Sequence, residues 1–263
     1  MSIRQKDIYV ERTGEVAALV INRPEKRNAI TYEMWHAIPD LVREVEEDPS
    51  VKVLLVRGAD ASAFSAGADI GEFEARRSDS ASARIYNEAT HEAEWTLASM
   101  RKPTIAMVQG PCIGGGCEIA LACDLRISDT NARFGITPAK LGLVYSLNST
   151  KNLVDLVGPA MSKYILFSGR QVDARRAYEI GLVDQLHEPE ETEDRTWKLA
   201  DEICSRAQFS VRSTKHIIRL ILSGQAEDDE ETLRLRNESF DTADYREGVR
   251  AFLEKRSPNF TYT

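Results

Sequence analysis

Short β-branched runs that alternate with segments of helical periodicity are the feature that most limits the folds open to this 263-residue chain. Most of these runs are bounded by Gly, Pro or polar residues, which is typical of strands buried in a sheet. They fall at residues 8–12, 16–21, 53–57, 104–108 and 125–128. Strands that alternate repeatedly with helices predict an α/β fold with parallel strands and crossover helices. The first two runs are joined by Thr13-Gly14, which predicts a hairpin.

The helical segments have recognisable starts and breaks. Between the second and third strands, apolar residues recur at helical spacing through residues 35–45, with Thr31 as the predicted N-cap. Pro39 lies inside this pattern and should kink the helix or lie in its first turn. The small, polar stretch 76–84 predicts a surface loop, after which another helix should run to Met100.

The last third of the chain is predicted to be mostly helical. Asp173 should cap a short helix that ends at Gly181, and a strand is expected at 182–184. The acidic, proline-containing segment 187–194 predicts a linker between a core, residues 1–190, and a helical region, residues 191–263. An apolar stripe in that region should cover either the core or a second subunit: Tyr245, Val249, Phe252 and Leu253.

Composition excludes several classes of function. The chain has 34 Lys and Arg against 42 Asp and Glu, a formal net charge of −8, so a nucleic acid is not an expected partner. Its apolar runs are far shorter than the ~20 residues that span a bilayer. The N-terminus lacks the apolar stretch and cleavage site of a secretory signal. We therefore expect no membrane partner and a cytoplasmic location.

The Cys and His residues do not indicate a metal site. Cys112, Cys117 and Cys123 lie in a Gly- and Ala-rich apolar stretch and are expected to pack as small buried side chains. The four His residues show no spacing with Cys, Asp or Glu that is typical of metal ligands.

Two segments near the N-terminus carry residues suited to ligand binding. The stretch 23–29 places three cations directly after a strand, which suits an anionic headgroup, although an ordinary solvated turn has the same composition. The small residues of 64–70 would let a ligand approach backbone N–H groups closely. Asp69 within them is expected to be an N-cap, with Glu72 completing an arrangement like a capping box.

Two later segments could carry chemistry. The run 114–118 follows a buried strand and opens an apolar helix, whose unpaired N–H groups could hold an oxyanion. Glu118 either complements the helix dipole or is a partly buried carboxyl group with a raised pKa. Tyr145 ends the Gly- and Pro-punctuated loop 134–145 and by itself is more typical of a packed aromatic residue.

In this order and at these separations, the segments resemble the crotonase (enoyl-CoA hydratase/isomerase) superfamily over essentially the whole chain, and the ending 251–260 is similar as well. The resemblance implies a spiral of β-β-α units followed by a C-terminal helical trimerisation region, assembled as a homotrimer or a dimer of trimers. It implies an acyl-CoA substrate, no prosthetic group and a thioester oxygen held by the N–H groups of Ala68 and Gly115. Each such donor is typically worth ~3–4 kcal/mol toward stabilising an enolate.

The resemblance also assigns residues to the CoA moiety of the substrate. These are Arg23, Lys26, Arg27, Ala29, Ala66, Asp69, Ile70, Lys255 and Phe260. The three cations of the first segment are implied for the CoA phosphates, and backbone groups of Ala66, Asp69 and Ile70 for the adenine. Lys255 and Phe260 are implied to reach CoA from a neighbouring subunit.

The chain departs from the hydratase pattern at one position. Hydratases of this family use two glutamates, and Glu118 matches one of them, but Ala139 stands at the other position and cannot transfer a proton. Such a loss should remove a contribution of ~10²–10⁴-fold. The hydratases' Pro-Gly-x-Gly-Gly segment is replaced here by residues 145–149.

Residues 137–145 and 244–248 resemble methylmalonyl-CoA decarboxylases of the family more closely, although those enzymes have His where this chain has Ala68. Losing CO2 from a methylmalonyl- or malonyl-type thioester forms the enolate without a base. Decarboxylation is therefore the preferred prediction, with Tyr145 orienting the carboxylate and Glu118 or water assisting reprotonation. Two alternatives stay open: enoyl-CoA hydration with Glu118 as the surviving carboxyl group, and a non-catalytic acyl-CoA-binding protein.

Overall fold

The computed structural model describes residues 7–261, and a twisted main sheet organises its first 190 residues. Strands β1, Ile8–Thr13, and β2, Val16–Ile21, form an antiparallel hairpin that pairs Ile8 with Ile21. Gly14 in the connecting turn has φ of 59°, a left-handed conformation that favours glycine. The hairpin predicted from Thr13-Gly14 is confirmed.

From β2 onward the main sheet is parallel. Its further strands are β3, Val53–Gly58; β4, Thr104–Val108; β6, Leu125–Asp129; and β9, Gln185–His187, in the order β1-β2-β3-β4-β6-β9. A smaller sheet contains β5, Pro111–Ile113; β7, Arg133–Gly135; and β8, Gln171–Asp173. This arrangement confirms the predicted α/β class with crossover helices.

Ten α-helices are described within residues 7–261. They are α1, Tyr32–Glu47; α2, Phe73–Arg76; α3, Ser80–Ser99; α4, Gly115–Ala122; α5, Leu147–Ser168; α6, Ala174–Glu179; α7, Pro189–Cys204; α8, Gln208–Leu222; α9, Glu230–Glu238; and α10, Ala243–Glu254. Short 3-10 helices lie at Pro24–Lys26, Ile70–Glu72, Pro138–Lys140 and Ser239–Asp241. No helix among these residues is long and apolar enough to cross a membrane.

Thr31 caps α1 as predicted, and Pro39 lies in the interior of that helix and not in its first turn, which leaves the kink as a prediction. Two other predicted boundaries are wrong. The expected loop 76–84 shrinks to three residues between α2 and α3, because Asp79 caps α3 with a reciprocal capping box. The strand expected at 182–184 lies at β9 instead.

The segment expected to be a linker is mostly structured. β9 ends at His187 and α7 begins at Pro189, which fits the first helical turn because its missing N–H is not needed there. The division of the chain near residue 190 stays a prediction. The predicted, mostly helical character of the region beyond it is confirmed for the described residues by α7, α8, α9 and α10.

The main sheet is covered on both faces, as its parallel strands require. Side chains alternate along each strand, so Leu19 and Ile21 of β2 join the cluster that packs under α1, α3 and α4. Val16, Ala18 and Val20 point to the opposite face, where α7 covers them with residues such as Ala200 and Cys204.

The C-terminal helices bury little of their apolar surface within the chain. Only Gln208 of α8 is buried, and Ile218, Ile221 and Leu222 are about half exposed. The predicted stripe of α10 is also exposed: Tyr245, Val249, Phe252 and Leu253, with Phe252 at 84%. The core of this chain therefore does not cover the stripe.

Candidate active site

Two loops meet above the carboxyl ends of β3 and β4 and are joined by backbone hydrogen bonds. The N–H of Ser65 donates to Pro111 O at 3.0 Å, and the N–H of Ile113 donates to Ser65 O at 2.9 Å. Glycine permits the close approach, because a Cβ on Gly116 would lie 2.7 Å from Ser65 O. A Cβ on Gly67, whose φ is +92°, would lie 2.6 Å from Ile113 O.

This junction brings together the two predicted oxyanion donors. An added Cβ on Gly115 would lie only 3.4 Å from the Ala68 nitrogen, so the two amides are neighbours. Within residues 7–261, neither N–H donates a hydrogen bond to a protein acceptor. Gly115 is also the first residue of α4, where N–H groups have no partner within the helix. Two unpaired donors side by side can stabilise negative charge on one carbonyl oxygen.

Both residues line a cavity of about 230 Å³. The cavity walls combine apolar groups such as Trp35, Phe73 and Leu143 with a few titratable ones. The titratable side chains on this wall are Arg77, Tyr86, His91, Glu94, Glu118 and Tyr145. An apolar cavity with few polar groups is the usual form of a small-molecule site.

Glu118 lies in the first turn of α4 and opens on this cavity. Burial and, to a smaller extent, the charge of Glu94 raise the pKa of Glu118 to about 8, against the opposing effects of Arg77 and a hydrogen bond with Tyr145. The side chain is therefore largely protonated at neutral pH and can donate a proton. The sharper of the two sequence interpretations of Glu118, a carboxyl group with a raised pKa, agrees with this environment.

Tyr145 also contacts the glycine turn that precedes α4. Its hydroxyl donates to Gly114 O at 3.3 Å, and burial raises the Tyr145 pKa well above its usual value. Tyr145 is thus a neutral hydrogen-bond donor that contacts the loop carrying Gly115.

Ala139 does not contribute to the cavity. It is exposed in the short helix Pro138–Lys140, and its neighbours Thr137, Pro138 and Leu141 line the wall instead. Position 139 therefore brings no group into the described site.

Sequence reasoning missed Glu94, a second carboxyl group on the cavity wall. It lies on the buried face of α3 and is only 2% exposed. The Ser149 hydroxyl donates to its Oε2 at 2.6 Å, and the Asn148 amide at 3.3 Å. A signal was present: Glu94 falls eight residues after Tyr86 and three before Leu97, on the apolar face of the helix.

The basic segment divides into one paired and two exposed cations. Arg23 donates to Asp69 Oδ2 at 3.0 Å and to Ala29 O at 2.7 Å, so it joins two of the segments implied for CoA. Lys26 and Arg27 are exposed.

Two of the backbone N–H groups in the segment implied for adenine binding already donate hydrogen bonds within the chain. The N–H of Ala66 donates to Arg27 O at 2.8 Å, and the N–H of Asp69 donates to Ile30 O at 2.9 Å. Ile70 is 63% exposed at the cavity wall. Their roles toward CoA stay predictions.

The predicted cap at Asp69 is confirmed, because its side chain accepts from the N–H of Gly71 at 3.1 Å. The predicted partner is wrong, since Glu72 accepts from the N–H of Tyr32 at 2.8 Å. That contact joins the start of α1 to the short helix Ile70–Glu72.

Lys255 and Phe260 lie away from this cavity. Lys255 is exposed and ends α10 in a left-handed conformation, and the Phe260 ring approaches Gly248 of the same chain. Neither residue is among those described on the cavity wall. Their implied contact with CoA across a subunit boundary stays a prediction.

Cys112, Cys117 and Cys123 are buried free thiols, as the sequence predicts. Within residues 7–261, no group of three or more His, Cys, Asp or Glu side chains is placed to hold a metal ion.

The fold places two unpaired backbone amides and a carboxyl group on one cavity. Residues 11–263 match the model of the enoyl-CoA hydratase/isomerase family. The chain belongs to that family, whose crotonase fold the sequence resemblance implied, and it is an enzyme of the crotonase superfamily.

Relatives and solved structures agree with this assignment. The chain is 35% identical to the crotonyl-CoA hydratase of Syntrophomonas wolfei over 259 residues, covering 97% of this chain and 98% of that one. It is 34% identical to the short-chain-enoyl-CoA hydratase of Clostridium acetobutylicum, covering 95% of each. The crystal structure of an enoyl-CoA hydratase/isomerase family protein from Hyphomonas neptunium is similar, with a TM-score of 0.95, 41% identity and 98% coverage of both chains.

Proposed function

We propose that this chain is an enoyl-CoA hydratase that adds water to the double bond of a short 2-enoyl-CoA thioester. The observation that carries the proposal is the pair of unpaired N–H groups of Ala68 and Gly115 on the same cavity as Glu118. The two relatives named above are hydratases of crotonyl-CoA and short-chain enoyl-CoA, which supports the substrate class. They favour the hydratase alternative over the decarboxylation preferred from sequence.

The reaction follows from where charge develops. A thioester oxygen that accepts from both amides withdraws electrons from the conjugated double bond, so water can add at C3 and form an enolate. The protonated Glu118 then gives its proton to C2. Adding water also releases a proton, which requires a base other than the protonated Glu118.

Tyr145 has a supporting role in this proposal. Its hydroxyl donates to the Gly114 carbonyl, so it steadies the turn that presents the Gly115 amide. In the decarboxylase interpretation the same hydroxyl would have to bind a substrate carboxylate instead.

The proposal also covers the length of the acyl chain and the residues that bind the CoA moiety. A cavity of about 230 Å³ is smaller than the ~300–1,000 Å³ of sites for drug-sized ligands, which favours a short acyl chain. We assign the CoA phosphates to the exposed Lys26 and Arg27, with Arg23 positioning the loop through Asp69. Lys255 and Phe260 would complete the CoA site from a neighbouring subunit of a homotrimer or a dimer of trimers.

A paired assay tests the proposed reaction. Purified protein is incubated separately with crotonyl-CoA and methylmalonyl-CoA, and the thioester products are weighed by mass spectrometry. We expect addition of one water to crotonyl-CoA and an unchanged methylmalonyl-CoA. Loss of CO2 without any hydration would restore the decarboxylase, and calorimetric binding without turnover would favour the non-catalytic protein.

Replacing Glu118 by Gln tests its assigned role. We expect hydration to fall by ~10²–10⁴-fold, because the amide cannot deliver a proton to C2. Binding of butyryl-CoA, a saturated thioester, should stay within about twofold of wild type. Glu179→Gln, on the exposed face of α6, is the control that should keep full activity. Equal turnover by E118Q and wild type would remove Glu118 from the mechanism.

A further inference from the structure

Hydration needs one group to accept a proton from water and another to return a proton to C2. Glu118 is one such group, and the exposed Ala139 is not the other. We propose that Glu94 is the second catalytic carboxyl group, supplied to the cavity by α3 instead of by residue 139. This inference rests on the proposed hydratase function and deepens it.

Position is the first support. Glu94 and Glu118 line the same cavity from two packed helices, α3 and α4, together with the oxyanion donors Ala68 and Gly115. Glu94 is 2% exposed, and among residues 7–261 no Lys or Arg forms an ion pair with it. A buried carboxyl group without a cation is costly, so its retention at a cavity wall indicates a chemical use.

The hydrogen bonds to Glu94 are the second support. The Ser149 hydroxyl and the Asn148 amide both donate to Oε2, at 2.6 and 3.3 Å. Oε1 carries no hydrogen bond from the described residues, so one oxygen is fixed and the other is available. Both donors begin α5, inside the 145–149 segment that replaces the hydratases' Pro-Gly-x-Gly-Gly. The departures at 139 and at 145–149 then have one explanation, a carboxyl group moved from a loop to α3.

The groups around Glu94 and Glu118 favour different protonation states for the two carboxyl groups. Burial raises the pKa of Glu94, whereas Ser149, Asn148 and the nearby His91 favour its ionised form. Glu118 faces Glu94, Arg77 and Tyr145, and the charge of Glu94 adds to the rise of its pKa. Two carboxyl groups in one cavity do not readily ionise together, because their negative charges repel each other. The pair therefore retains one proton, which we assign to Glu118.

The proton transfers balance with these roles. The Glu94 carboxylate takes a proton from water as the oxygen bonds to C3, and the C2=C3 π pair moves into the enolate. The enolate then takes the Glu118 proton at C2, which completes net addition of one water. Transfer of a proton from Glu94 to Glu118 regenerates the starting state.

The test compares Glu94→Gln with Glu88→Gln, an exposed carboxylate on the same helix. With crotonyl-CoA we expect E94Q to lose ~10²–10⁴-fold in kcat while butyryl-CoA binding by calorimetry is retained, and E88Q to match wild type. A wild type that does not hydrate any enoyl-CoA overturns the proposed function. A wild type that hydrates while E94Q keeps full kcat overturns only the role of Glu94.

A second variant separates catalysis from a packing role. Ser149→Ala removes a donor that favours ionised Glu94, so the pKa of Glu94 should rise, and the acidic limb of kcat against pH should move to higher pH. The result should hold even if E94Q fails to fold. An acidic limb in S149A that is identical to that of wild type would contradict the proposal.

Discussion

At the scale of single residues, the protonation of Glu118 is set by its neighbours more than by its place in the sequence. A first-turn glutamate on an exposed helix would be ionised at neutral pH and would stabilise the helix. Here burial and the facing Glu94 carboxyl group hold a proton on it. The same residue type therefore gains a different function from a change in surroundings.

This protonation predicts the basic limb of the activity profile. Because the pKa of Glu118 is about 8, kcat should fall as pH rises through that value and the acid form is lost. Arg77 opposes the raised pKa, so Arg77→Met should raise it and move the limb to higher pH. The measurement is kcat for crotonyl-CoA hydration between pH 6 and 10.

Arg76→Met is the matched control for that experiment. Arg76 is the neighbouring cation, but its guanidinium lies over the Tyr32 ring and pairs with Glu33, away from the cavity wall. In R76M the basic limb of kcat against pH should coincide with that of wild type. A limb that moves to lower pH in R77M would contradict the assigned effect of Arg77.

Local pattern indicated the segments 64–70 and 114–118 and the carboxyl group of Glu118, whereas the amides of Ala68 and Gly115 were implied by the resemblance to the crotonase superfamily. Glu94 could not be assigned in the same way, since a single polar residue on an apolar helix face has many explanations. Its meaning depends on Ser149, 55 residues away in sequence. Hydrogen bonds over that separation depend on where the fold places α3 and the start of α5, which no local pattern contains.

At the scale of elements, the site depends on two loops that pack backbone against backbone. Gly116 allows α4 to begin directly beside Ser65, and Gly67 allows the other loop to pass the Ile113 carbonyl. One amide donor, Ala68, belongs to one loop and the other, Gly115, to the other loop, and this contact makes them neighbours. Their spacing is therefore fixed by glycine and not by a side chain.

Gly116→Ala should separate the loop that contains Ser65 from the start of α4. The new methyl group would lie 2.7 Å from Ser65 O and 2.8 Å from Ser65 Cβ, so backbone must move. Overpacking of this kind costs about 1–3 kcal/mol of unfolding free energy, and hydration should fall because the amides no longer converge. Thermal unfolding and turnover measure the two effects.

Gly248→Ala provides the comparison. Its Cβ would meet the Phe260 ring at 3.5 Å, an ordinary contact, within α10. Alanine is favoured over glycine in a helix interior by about 0.5–1 kcal/mol, so the unfolding temperature should stay or rise. An unfolding temperature in G116A equal to that of G248A would show that the loops yield without cost.

Elements with strong periodicity were predicted well, whereas connections were not. The hairpin, α1 and the helical C-terminal region follow from hydrophobic spacing, which depends on neighbouring residues alone. The expected loop at 76–84 is wrong, and the expected linker at 187–194 is mostly structured, because polar residues are as typical of helix starts as of loops. Asp79 and Pro189 instead begin helices there, since both residue types fit the first turn.

At the scale of the whole molecule, the C-terminal helices present more apolar surface than one chain covers. Phe252 and Leu253 are 84% and 74% exposed on α10, and Phe167 of α5 is 77% exposed. Apolar surface that is exposed in this way is typical of interaction sites in proteins. This surface supports the proposed homotrimer or dimer of trimers.

A double substitution tests the assembly. Phe252→Glu with Leu253→Glu places two charges on the stripe, so the mass in sedimentation equilibrium should fall from a multiple of three chains toward one. Tyr178→Glu, at an exposed aromatic residue of α6, should leave the mass unchanged. A wild type that sediments as a single chain would contradict the proposed assembly.

The exposed helices also link the stability of each subunit to the amount of protein present. If a fold is completed only when its apolar faces meet those of other copies, mass action governs how much of it survives dilution. Heat would then unfold a dilute sample at a lower temperature than a concentrated one. For this chain, abundance in the cell would act as a determinant of stability alongside the sequence itself.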